Sequence, residues 1–119
     1  LPGCATFPVH PATMADGRIV LGRGEFDALA AGGPAVALSA PGLDWPVLVI
    51  RDGDGFVALT SRCTHQGCRV QPSETFIRCS CHGSTFDLQG RVLRGPALDP
   101  LPQYPVSVAG DRIEIEVAG

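Results

Sequence analysis

The sequence predicts an all-β domain, and three features carry that expectation. Glycine and proline are abundant, 15 and 11 of 119 residues, which interrupts long helices and favours short strands joined by turns. Near the C-terminus, Ile113, Ile115 and Val117 alternate with Arg112, Glu114 and Glu116, the period of a strand with one face in water. Between two apolar runs, Asp52-Gly53-Asp54-Gly55 supplies Asp-Gly pairs, which tolerate the positive φ of a tight hairpin.

The elements follow in order. Apolar runs bounded by Gly, Pro or Asp predict strands over 18–21, 35–39 and 47–51, and 56–60 returns after the Asp-Gly hairpin. Residues 75–78 and 85–88 read as short strands, and Gln89-Gly90 turns the chain into 91–93. Residues 104–108 and 112–117 form a last hairpin around Gly110-Asp111. The one helical candidate is 25–31, ended by Gly32-Gly33. His10, flanked by prolines, is expected at the surface, while Trp45 and Tyr104 are expected to fill the core or pack beneath a loop.

At this length the chain makes one domain, 1–119, with a modest core. A net charge of -3 without a basic run gives nucleic acid no electrostatic footing. No apolar stretch approaches the roughly 20 residues that span a bilayer.

Two stretches concentrate the chemistry. Cys63-Thr64-His65-Gln66-Gly67-Cys68 and Cys79-Ser80-Cys81-His82-Gly83-Ser84 hold four of the five cysteines and two of the three histidines. Soft thiolates and imidazoles in paired loops point to a metal. A zinc ribbon is one option, since Cys4, Cys3His and Cys2His2 zinc sites are all common. Zinc knuckles, however, demand nothing after the ligands, whereas here His82-Gly83-Ser84 is followed by Arg94-Gly95-Pro96-Ala97 and Pro100-Leu101. The whole pattern resembles the high-potential branch of the Rieske [2Fe-2S] proteins, across about a third of the chain.

That resemblance implies a Rieske fold: an antiparallel β-sandwich base with a small cluster-binding subdomain at about 62–101. It implies one [2Fe-2S] cluster, with Cys63 and Cys79 on one iron and His65 and His82 on the other. Replacing two thiolates by neutral imidazoles raises the reduction potential. Cys68 and Cys81 match the two cysteines that form a disulfide in this branch. Gly95 and Pro96 match the proline loop that covers the cluster. Ser84 matches a hydroxyl donor to a bridging sulfide, and Phe86 stands where quinol-oxidising members usually have a Tyr that donates to a cysteine ligand. Gln66 replaces the apolar residue common after the first histidine in cytochrome bc and bf complexes.

The function implied is one-electron transfer, as the soluble domain of a cytochrome bc-type Rieske subunit working with cytochrome b and a c-type cytochrome. The alternative is an electron-transfer subunit or periplasmic carrier for another oxidoreductase, such as the molybdenum subunit of arsenite oxidase. In either case the chain is an electron-transfer component with no substrate chemistry of its own. An oxygenase would need a second iron site with two more histidines and a carboxylate, and His10 is the one histidine left over.

Leu1-Pro2-Gly3-Cys4 resembles a bacterial lipobox, making Cys4 a lipidation candidate. The other reading is that residues 1–15 are an extension left after a removed anchor or twin-arginine signal. Both place the domain outside the cytoplasm, in the periplasm or facing it from a membrane. A structural disulfide fits the same compartment.

Overall fold

Three consecutive strands, β4 (Ala35–Ser39), β5 (Val47–Asp52) and β6 (Gly55–Thr60), are apolar at most positions, so strand alternation gives them two buried faces. In the computed structural model, which describes residues 7–64, 67–81 and 83–117, each face packs on a different sheet. Val36, Leu38, Val47, Val49 and Ala58 share one core with Ile19, Leu21, Ile113 and Ile115. Ala35, Ala37, Leu48, Ile50 and Leu59 share the other with Val70, Ile77, Cys79 and Phe86. Each fully buried Leu, Ile or Phe stabilises the fold by about 1.5–3 kcal/mol. The result is three layers of sheet, with Cys79 in one outer layer.

The opposite outer layer is the base sheet: β2 (Thr13–Ala15), β3 (Arg18–Gly22), β12 (Val106–Ala109) and β13 (Arg112–Glu116), ordered β12-β13-β3-β2. Ile113 and Ile115 are buried, and Arg112 and Glu116 are exposed, as the alternation requires. Helix α1 (Arg23–Ala30) follows β3 and buries Phe26. It begins two residues before the expected start, because Gly24 falls in the first turn, where its low interior propensity matters little.

The central sheet is ordered β1-β4-β5-β6-β11, with β1 (Val9–Pro11) parallel to β4 and β11 (Gln103–Tyr104) antiparallel to β6. The single strand expected over 104–108 is split at Pro105. Tyr104 ends the central-sheet strand and Val106 begins the base-sheet strand. Proline has no N–H for a ladder, so it suits the point where the chain changes sheets. From Val9 onward, the segment expected as an extension contributes β1 and β2 to two sheets. His10 is half-buried there, opposite Leu38, rather than fully at the surface.

The third sheet is ordered β10-β9-β8-β7 and comprises β7 (Val70–Pro72), β8 (Ile77–Cys79), β9 (Thr85–Phe86) and β10 (Val92–Arg94). The strand expected over 75–78 starts later, at Ile77. Residues 73–76 form its turn, with the Ser73 N–H and Oγ both donating to the Phe76 carbonyl, at 2.7 and 2.9 Å. The strand expected over 85–88 stops at Phe86, because the Asp87 carboxylate organises the next turn.

Candidate metal centre

Cys63 and Cys79 open two loops with the same backbone plan. In the first, the Cys63 N–H donates to the Cys68 carbonyl at 2.7 Å and the Gly67 N–H donates to the Cys63 carbonyl at 3.0 Å. In the second, the Cys79 N–H donates to the Ser84 carbonyl at 2.8 Å and the Gly83 N–H to the Cys79 carbonyl at 3.2 Å. Gly67 and Gly83 have φ of 69° and 79°, which glycine adopts without a Cβ clash. The histidine spacing hides this correspondence, since His65 is third in its loop and His82 fourth in its own.

The four loop cysteines separate into two kinds. Cys68 and Cys81 form a disulfide with Cα atoms 6.2 Å apart. Cys63 and Cys79 are thiols outside it, each 2% exposed. The Cys79 Sγ lies within 4.8 Å of both disulfide sulfurs. Those three sulfurs are not a three-thiolate site, because two of them already share a bond. His65, His82, Gln66 and Cys4 lie outside the described residues. Two shielded thiols at equivalent positions of twin loops, beside a disulfide that joins the loops, fit the thiolate half of a [2Fe-2S] centre with mixed ligands.

Residues 95–97 close over the second loop. Ala97 is 1% exposed, and its N–H donates to the Oγ of fully buried Ser84 at 3.0 Å. Accepting there leaves the Ser84 hydroxyl hydrogen for a different acceptor. Thr64 Oγ1 donates to the Asp99 carbonyl at 2.7 Å, so the first loop is tied to the same segment. Gly95 and Pro96 are exposed, and the peptide between them is cis. Phe86, fully buried, belongs to the core that contains Cys63, Cys79 and Ala97. Trp45 and Tyr104 are half-buried, and Tyr104 packs against the core beneath the base sheet.

Next to the second loop, burial pushes the Asp87 carboxyl up, but hydrogen bonds outweigh it and hold the group below its ordinary range. The Gln89 and Arg91 amides each donate to Oδ1 at 2.9 Å, and Arg91 Nε donates to Oδ2 at 2.7 Å. The turn at Gln89-Gly90 is where the sequence placed it, but the Asp87 carboxylate that organises it was not anticipated, although Asp followed by Gly three residues later is a recognisable turn signal.

Comparison with known proteins agrees with this geometry. A family model described as Rieske [2Fe-2S] domain matches residues 18–105. The carotenoid phi-ring synthase of Chlorobaculum tepidum is 44% identical over 72 residues, covering 59% of this chain and 11% of that protein. The cytochrome b6-f complex iron-sulfur subunit of the same organism is 35% identical over 77 residues, covering 63% of this chain and 42% of the relative. The chain thus spans less than half the length of these curated relatives. The crystal structure of the cyanobacterial plasma membrane Rieske protein PetC3 from Synechocystis PCC 6803 superposes with a TM-score of 0.67. It is 32% identical, covering 82% of this chain and 97% of that one.

Proposed function

This chain belongs to the Rieske [2Fe-2S] domain family, and from that membership we propose that it transfers single electrons as the soluble domain of a cytochrome bc-type Rieske subunit. When bound, a Rieske cluster takes up and releases one electron at a potential raised by its two imidazole ligands. In this reading Cys63 and Cys79 hold one iron and His65 and His82 the other. The observation that carries it is the pair of buried thiols at the same place in two loops joined by the Cys68–Cys81 disulfide.

The surrounding residues have distinct tasks. The disulfide and the Thr64 and Ser84 hydrogen bonds hold two loops and one lid in a fixed relation, so little rearrangement accompanies a change of charge. Ser84, anchored by the Ala97 amide, keeps its hydroxyl hydrogen for another acceptor and would donate it to a bound cluster, where a donor stabilises the added negative charge of the reduced state. Phe86 keeps water from Cys79 but offers no hydroxyl. Cytochrome b and a c-type cytochrome are the partners, and the domain works outside the cytoplasm. The similarity to cytochrome b6-f subunits favours this over service to a molybdenum subunit.

A spectroelectrochemical titration tests the reading. The visible absorbance of the as-isolated protein should bleach with a one-electron Nernst slope, at two iron and two acid-labile sulfide per chain. A protein that holds one zinc and has no reducible chromophore would refute it.

A further inference from the structure

All nine basic side chains of this protein are arginines, and their pairing is uneven. Arg18, Arg51, Arg91 and Arg112 form ion pairs with carboxylates. Arg23 and Arg69 donate to backbone carbonyls. Arg62, Arg78 and Arg94 are exposed and make neither an ion pair nor a side-chain hydrogen bond among the described residues. These three sit on the three segments that surround the candidate centre.

Their placement is specific. Arg62 and Arg78 each precede the cysteine that opens a loop. The Arg62 guanidinium lies over Gly67, where an added Cβ would come within 2.9 Å of Nε, and Arg78 Nη2 lies 3.7 Å from the equivalent point on Gly83. Strand register then puts Arg78 and Arg94 on either side of Thr85, in one row across the third sheet. Neighbours in such a row share a face, and this one is opposite the buried Ile77, Cys79 and Phe86. Leu98, 90% exposed, lies between Ala97 and Asp99, which are hydrogen-bonded to the second and first loops, and Leu93, 61% exposed, precedes Arg94 in the chain.

The wider charge distribution points the same way. Residues 62–101 contain five arginines and three carboxylates, a balance of +2, while the rest contains four arginines and nine carboxylates, a balance of -5. We propose that the loop end of the molecule, rimmed by Arg62, Arg78 and Arg94 around Leu98, docks an electron-transfer protein whose redox group is ringed by carboxylates. The acidic base turns away from such a partner, so encounter is oriented with the buried thiols foremost. Arginine suits the rim because its planar fork meets carboxylates with two parallel hydrogen bonds. The inference rests on the electron-transfer reading above.

Stopped-flow oxidation of the reduced, cluster-loaded protein tests it, with ferricyanide as the anionic probe and tris(phenanthroline)cobalt(III) as the cationic one. Seen as a whole, a molecule of net charge -3 should repel ferricyanide, and salt should speed the reaction. The positive rim requires the opposite: ferricyanide oxidation slows by about tenfold as salt screens the attraction, and the cobalt reaction accelerates. Replacing the rim (R62Q/R78Q/R94Q) should reverse the ferricyanide slope while the visible spectrum persists, whereas R18Q on the base leaves the slope unchanged. A ferricyanide rate in the unmodified protein that rises with salt would overturn the proposal alone, whether or not the triple variant loads its cluster. A protein with no reducible chromophore would overturn the electron-transfer reading as well. Co-sedimentation with mixed phosphatidylcholine/phosphatidylserine vesicles should show no binding that depends on the three arginines, and such binding would assign the rim to a membrane instead.

Discussion

Ala97 and Ser84 are joined by one buried hydrogen bond, the Ala97 N–H donating to the Ser84 Oγ over 3.0 Å. The bond links residues 13 positions apart, and it orients a hydroxyl while closing a lid. Ser84→Ala removes both effects. The midpoint potential is expected to fall by about 20–65 mV, the equivalent of one hydrogen bond of ~0.5–1.5 kcal/mol to the cluster. Leaving the Ala97 amide unpaired should also lower stability by about 1–3 kcal/mol. Protein-film voltammetry and denaturant unfolding measure the two separately, and an unchanged potential would mean that Oγ does not face the cluster.

Phe86 lies in the same core as Cys63 and Cys79 with no exposed surface. Phe86→Tyr places a hydroxyl where a donor to a cysteine sulfur is expected, and the midpoint should rise by a similar ~20–65 mV. Voltammetry showing no rise would mean that the ring edge points away from the thiolates.

The Cys68–Cys81 bond closes a loop with a sequence separation of 13. For a loop of that size the stabilisation is about 3 kcal/mol. The double replacement C68A/C81A should lose about that much in denaturant unfolding and should release iron faster at ambient temperature. Equal stability and equal iron retention would show that the lid contacts alone hold the two loops together.

Asp87 gives a pH signature with a definite sign. Its folded-state pKa is lowered, so its contribution to stability is present above the unfolded value of about 3.9 and is lost as pH falls through the folded value. Asp87→Asn should therefore be less stable than the parent near neutrality, and the difference should close on acidification below about pH 4. Thermal unfolding across that range measures it. A gap that stays constant with pH would place the effect in geometry rather than charge.

Much of the fold was legible because its strands obey simple periods. The alternation around Ile113 and Ile115 identified a strand wet on one face. The apolar runs over 35–39 and 47–51 marked strands, but their two-faced burial depends on which sheets stack against them. Pro105 broke a strand whose apolar pattern runs straight through it. The short strands at Val9–Pro11 and Thr13–Ala15 carry too few residues to show a period. At the site, Cys and His spacing was enough to nominate the ligands. The lid ties from Thr64 to Asp99 and from Ala97 to Ser84 span 35 and 13 positions, and no local pattern announces contacts of that range. That Arg62, Arg78 and Arg94 have no carboxylate partner among the described residues was likewise visible only in the folded structure.

The most direct measurement is pulsed EPR of the dithionite-reduced protein. A cluster held by Cys63, Cys79, His65 and His82 should give an average g value below that of an all-cysteine [2Fe-2S] centre, with modulation from two imidazole nitrogens, one of which is lost on His65→Cys and the other on His82→Cys. An EPR-silent protein, or a signal without nitrogen coupling, would contradict the mixed thiolate and imidazole centre.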